Sequence, residues 1–251
     1  MKLVTFNIRC DYGQDGKNNF CFRKPLILDK LRREKPDVVC FQEVLPHTAA
    51  WLKEELRDYY VVGCGRSETL EDEQMAVAYR WERLNLIGME TLWLSETPAV
   101  PGSRYPRQSI CPRTATEVLL EDLTSRRVFR LLNVHLDHEF PEARELGLRQ
   151  ILKRLESPRL FPGVPAVIAG DMNAEPDSPE MALLKTSPCR NVTEHTGVTY
   201  HGFGQAEHSC SIDCILTQGF VCTETGKWTD EREGVFLSDH YPVWASLRPA
   251  D

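Results

Sequence analysis

Short apolar runs, rich in Val, Ile, Leu and aromatic residues, recur along the chain, and many of them break off on a polar residue. Runs this short, bounded by Gly, Pro, Asn and Asp, suit β-strands better than helices. Residues 3–8, 38–44, 59–63, 75–79, 84–94, 114–120, 128–136, 166–170, 211–217 and 243–247 qualify. Apolar residues recur three or four apart only in 24–34, 47–57 and 142–155, which predicts three helices. Pro141 stands just ahead of the last, where proline suits a helix start.

The order is βαβαβ, then a strand-rich middle, a helix and further strands. A (β/α)₈ barrel needs regular alternation and is disfavoured. Two mixed sheets stacked face to face with helices outside fit better. At 251 residues the chain is one large domain or two small ones. The Pro-rich stretch 98–112 is flanked by strands of one character, so it reads as a surface loop, as does 186–209. One domain over 1–251 is expected.

The run ends are where chemistry is legible. Asn7, Glu43, His135 with Asp137, Asp171 with Asn173, Asp213, and Asp239 with His240 all sit in or just after apolar runs or, for the last pair, just before one. Singly, most have plain readings as turn or capping residues. Asp213 lies inside an apolar run, and an unpaired buried carboxylate is costly, so it needs a partner such as a protonated His. Together they supply carboxylates, amides and imidazoles, the oxygen-rich set that suits Mg²⁺ or Mn²⁺.

Val-Thr-Phe-Asn7-Ile-Arg, Phe-Gln-Glu43-Val, Asn133-Val-His135, Gly170-Asp171-Met-Asn173, Ile212-Asp213 and Ser238-Asp239-His240-Tyr-Pro-Val resemble the motifs of the endonuclease/exonuclease/phosphatase superfamily. That superfamily includes pancreatic-type deoxyribonucleases, apurinic endonucleases, neutral sphingomyelinases and inositol-polyphosphate phosphatases. The motifs keep the family's order over nearly the whole chain. Blocks such as Trp93-Leu-Ser-Glu-Thr-Pro98 and Cys111-Pro-Arg113-Thr-Ala-Thr are similar to its small bacterial members. The resemblance implies a four-layer α/β sandwich with the site where strand ends of the two sheets meet. It implies Glu43 as the main Mg²⁺ ligand, helped by Asn7 and Asp239. Asp171, with Asn173 beside it, would activate or orient the attacking water. His240, with Asp213 as its charge partner, and His135 would contact the phosphate. Ser211 and Cys214 stand where the family pattern has Arg and Tyr, which leaves the metal and water positions intact.

The expected activity is divalent-metal-dependent phosphoester hydrolysis, a phosphodiesterase on a small or lipid-derived substrate first. A nuclease or a phosphomonoesterase would use the same site. Against a nuclease, 30 basic and 37 acidic residues leave a net charge of −7, and long basic, aromatic-studded loops are missing. A non-catalytic interaction protein would have shed Glu43, Asp171 or His240. Arg113, entering a strand, could face the site and, with His138 and His201, recognise a leaving group or second polar substituent. No HExxH or GxSxG occurs, which removes zinc proteases and α/β-hydrolases. The Asp11–Gly16 stretch lacks the chelating Glu of a calcium loop. Nine scattered Cys without a CxxC pair read as reduced thiols, and no long apolar N-terminal or membrane-length segment is seen. A cytoplasmic monomer without a membrane span is expected.

Overall fold

A computed structural model describes residues 1–156 and 163–250. In chain order the strands are β1 (Lys2–Asn7), β2 (Val38–Val44), β3 (Tyr59–Val62), β4 (Gln74–Arg80), β5 (Leu84–Trp93), β6 (Thr114–Asp122), β7 (Val128–His135), β8 (Ala166–Asp171), β9 (Arg190–Asn191), β10 (Asp213–Gln218), β11 (Phe220–Lys227), β12 (Glu231–Arg232), β13 (Val235–Phe236) and β14 (Val243–Pro249). The helices are α1 (Phe20–Glu34), α2 (Pro46–Glu55) and α3 (Pro141–Leu155). One six-stranded sheet runs β11-β14-β1-β2-β4-β3 and the other β5-β6-β7-β8-β10-β9. Each is mixed: β1 pairs parallel with β2 and β7 with β8, while the remaining pairs within them are antiparallel.

The continuous apolar runs exist because the central strands are covered on both faces. Side chains alternate between faces. Leu3, Val38, Cys40, Leu131 and Val167 therefore point into the core between the sheets. Their neighbours Val4, Val39 and Phe41 face the helix side of the first sheet, against Ile27 and Leu31 of α1 and Leu52 of α2. Leu132 and Ile168 face Leu148 and Ile151 of α3 on the second. The result is helix, sheet, sheet, helix, the four layers expected from the sequence.

Ten of the strands were legible as apolar runs, with ends within a few residues. Strand β11 was not, because Phe-Val-Cys-Thr-Glu-Thr-Gly-Lys forms a half-exposed edge with no apolar run. Helix α1 starts at Phe20 rather than residue 24, running through Pro25. Its buried stripe, Phe20, Arg23, Ile27 and Leu31, includes an arginine that periodicity in apolar residues overlooks. Arg23 is fully buried and donates to the carbonyls of Ile8, Arg9, Asn18 and Leu237, which fixes the chain on either side of the site.

Beneath the site a buried polar tie joins the sheets. Asn133 on β7 donates to the carbonyls of Phe41 on β2 and Ala76 on β4, 2.8 Å each, and accepts from Gln42 Nε2. A satisfied network of this kind fixes the sheets' relative position as apolar packing alone does not.

Candidate active site

Register converges the site. His135 lies opposite Asp171 across the parallel β7–β8 pair, and Asp213 lies opposite Asp171 across β8–β10. Gly170 makes this approach feasible: a Cβ there would sit 1.9 Å from the Val134 carbonyl oxygen. From the other sheet, β1 ends on Asn7, and an irregularity in the β2–β4 pairing at residues 41–44 throws Glu43 out toward the cleft. Glu43, Arg9 and Asn173 all have left-handed backbone, with φ of 60°, 60° and 48°. Strained backbone of this sort collects at functional sites.

The polar groups form a connected chain. Asp213 Oδ2 is 2.8 Å from His240 Nδ1, whose Nε2 faces Asp171 Oδ2 at 3.9 Å. Asn7 Nδ2 donates to Asp171 Oδ2 at 3.1 Å and to Glu43 Oε1 at 2.9 Å. Cys10 N–H holds the other Glu43 oxygen at 2.8 Å. His135 Nε2 lies 3.4 Å from Asp171 Oδ2, and Asn173 N–H donates to Asp171 Oδ1 at 2.9 Å. Asp239 Oδ1 accepts from Ser238, and its Oδ2 is 3.7 Å from Arg9 Nε. These residues frame a cavity of about 470 Å³, lined also by Arg9, Arg66, Glu73, Arg113, His138 and Tyr200.

Electrostatics divides the labour. Burial works against a charged His240, yet Asp213 beside it raises the imidazole well above its ordinary value, so it stays protonated. Burial, reinforced by the Arg113 charge, holds His135 well below its ordinary value and hence neutral. Burial and the Asp213 charge push the Asp171 carboxyl up to about 7, a range suited to accepting a proton from water. Burial would raise Glu43 too, but hydrogen bonds from the Cys10 N–H and Asn7, with the His240 charge, outweigh it and hold Glu43 below the usual carboxylate range.

Two groupings offer themselves to a cation. Ligand atoms of Asp171, Asp213 and His240 all lie within 4.8 Å of one another. There, however, His240 already bonds the Asp213 carboxylate, and Asp213 does not line the cavity. The Glu43 and Asp239 oxygens do line it. Glu43, Asp171 and Asp239 give the cavity an oxygen-rich floor, and carboxylate oxygen is the donor a hard divalent ion takes, so the donor set fits one. Asn7, as placed, turns its nitrogen to the carboxylates and its oxygen to the Arg9 N–H, 3.0 Å away. It bridges Glu43 and Asp171 rather than presenting oxygen to the cavity.

Arg113 and His138 reach the cavity wall, as the sequence reading expects; His201 does not line it. The His201 ring stacks on Tyr241 at 3.9 Å and accepts from Gly204 N–H at Nδ1, and the His201 backbone N–H donates to the Asp239 carbonyl. It supports the segment carrying Asp239 and His240 from behind, while neighbouring Tyr200 lines the cavity. Asp137 is likewise drawn away, accepting from Ser109 and from the N–H groups of Glu139 and Phe140 at the start of α3. The sequence reading missed Arg9, Arg66 and Glu73. Glu73 immediately precedes β4, so searching strand starts as well as strand ends would have found it.

Comparisons with known proteins agree with this fold. The chain is 23% identical over 236 residues to carbon catabolite repressor protein 4 homolog 3 of Arabidopsis thaliana, covering 90% of this chain and 49% of that one. The chain thus spans about half the length of that curated relative. A solved endonuclease/exonuclease/phosphatase from Bacteroides vulgatus superposes with a TM-score of 0.92 at 27% identity, covering 99% of this chain and 98% of that one. A mannosyl-6-phosphatase from Bacteroides thetaiotaomicron shares the fold, with a TM-score of 0.89 at 22% identity and 99% of each chain covered. Residues 4–240 match the description of one family along almost their whole length, and the chain belongs to that endonuclease/exonuclease/phosphatase family.

Proposed function

We propose that this chain hydrolyses a compact phosphodiester, small or lipid-derived, with Mg²⁺ or Mn²⁺ held by Glu43 and Asp239. The observation that carries the reading is the meeting of His240, held from behind by Asp213, with Asp171 and Glu43 in one cavity. When bound, the cation would supply Lewis-acid charge toward the phosphate oxygens. Asp171, fixed by Asn7 and Asn173, orients the attacking water and takes its proton. Protonated His240 and neutral His135 each offer an N–H toward phosphate oxygens, where negative charge builds up. Asn7 keeps the water-handling carboxylate and the metal-holding carboxylate in one frame.

A diester suits the charge balance. The floor presents Glu43, Asp171 and Asp239, and a singly charged phosphate meets less repulsion from them than a doubly charged monoester. The net charge of −7 argues against long nucleic acid. No helix among the described residues is long and apolar enough to cross a membrane. The reading extends to one domain over 1–251, supported by the core that both sheets share, and to a monomer in the cytoplasm.

The test is a rate panel on bis(p-nitrophenyl) phosphate, p-nitrophenyl phosphate and plasmid DNA at physiological salt. Diester turnover should exceed monoester turnover, vanish in chelator and return with Mg²⁺ or Mn²⁺. Full activity after exhaustive chelation would contradict the metal site. Faster monoester turnover would reassign the reaction, and efficient plasmid cleavage would overturn the compact-substrate reading.

A further inference from the structure

Arginines in the cavity wall differ in whether their charge is matched. Arg66 donates to Asp72 through Nε at 3.0 Å, and its other arm meets Glu73 at 2.9 Å. Arg9 is held by Asp15 through two nitrogens and lies near Asp239. Arg113, by contrast, hydrogen-bonds to no carboxylate among the described residues. It is 4% exposed, its Nε has no hydrogen bond, and its one side-chain contact of that kind is to His138 Nδ1 at 2.8 Å. The Asp137 carboxylate stands 3.9 Å from Arg113 Nε, an ion pair too long for a hydrogen bond, and its oxygens accept instead from Ser109, Glu139 and Phe140.

Five donors on a buried, permanently charged group, with one hydrogen-bonded acceptor and a carboxylate beyond hydrogen-bond reach, are a costly arrangement unless something else completes them. The backbone gives the guanidinium little freedom to escape, since the Arg113 carbonyl accepts from Leu94 N–H at 2.7 Å at the start of β6. The open side is the cavity, which Arg113 and His138 both line. Planar, forked and always charged, an arginine so placed suits bidentate contact with a phosphate or carboxylate.

We infer that Arg113, with His138 beside it, forms a second anion subsite, so that the substrate carries a negatively charged group besides its scissile phosphate. This rests on the hydrolase reading above. Sheet order sets the spacing. β6 lies one strand from β7, which ends on His135, and two from β8, which ends on Asp171. Strand separations therefore put the two anions about 5–10 Å apart. A phosphate on a nucleoside and a phosphate on a polyol headgroup share this chemistry.

Kinetic arms separate those two sources. Thymidine 5′-(p-nitrophenyl phosphate) is compared with its 3′-phosphorylated form, and glycerophosphoinositol with its ring-phosphorylated form, all with Mg²⁺. In at least one arm the added phosphate should raise kcat/KM at least tenfold, and the arm that responds names the source. Arg113→Gln should remove that preference, and Arg113→Lys should keep part of it. Calorimetric titration of inorganic sulfate into the metal-free protein should show binding that weakens at least tenfold in Arg113→Gln. Equal sulfate affinity in the variant, or measurable turnover with no advantage from added phosphate in either arm, would overturn the subsite. Should Arg113→Gln not fold, the wild-type comparison decides alone. No turnover of any of these diesters, with Arg113-dependent sulfate binding intact, would sink the hydrolase reading and leave the subsite standing.

Discussion

Asp213 Oδ2, 2.8 Å from His240 Nδ1, makes that imidazole a cation at neutral pH. Replacing Asp213 with Asn keeps the shape and removes the charge, so the His240 pKa falls. Turnover of an aryl diester should drop roughly 10²–10⁴-fold, and the alkaline limb of its pH profile should move down by about one unit or more. An unmoved limb would show that His240 does not act as the cation. The pairing was legible in the sequence, because a carboxylate inside an apolar run demands a partner. The direction of the His201 ring was not: position in the chain puts it near the cleft, but only packing turns it onto Tyr241. Burial there, with the nearby His240 charge, lowers its pKa from 6.5 to about 4. Between those values the unfolded chain binds a proton that the folded chain refuses, so this contribution to stability is full above 6.5 and shrinks as pH falls toward 4. Urea denaturation at pH 7 and pH 5 should show a smaller pH loss in His201→Phe, which still stacks but does not titrate. An equal loss in both proteins would contradict the assignment.

Strands position these groups, and their spacing depends on small details. Gly170 lets β8 lie against the Val134 carbonyl while presenting Asp171 opposite His135. Gly170→Ala must push the two strands apart, at a cost of about 1–3 kcal/mol in denaturant unfolding. Its effect on diester turnover should exceed what the lost stability explains, because Asp171 moves with its strand; wild-type turnover in a folded Gly170→Ala would refute the spacing argument. Elements covered on both faces were readable because they had to be apolar throughout. Edge strand β11 and the buried Arg23 of α1 escaped because their roles depend on neighbours distant in the chain. Asn133 could be matched to a motif, but its bonds to Phe41 and Ala76 across the sheets carry no local signal.

At the scale of the molecule, one sheet built from both ends of the chain and one built from its middle bring their strand ends to one cavity, and the motifs in order along the sequence become neighbours. That order made the fold legible, and Arg113 was legible at its strand start, whereas the wall positions of Arg9, Arg66 and Glu73 appear only once the cavity exists. The central claim is that this cavity prepares water for attack on phosphorus. The direct measurement is hydrolysis of bis(p-nitrophenyl) phosphate with Mg²⁺ in ¹⁸O-labelled water, followed by mass spectrometry of both products. One labelled oxygen should appear in the p-nitrophenyl phosphate and none in the p-nitrophenol. Label in the p-nitrophenol, or no metal-dependent hydrolysis at all, would contradict the account.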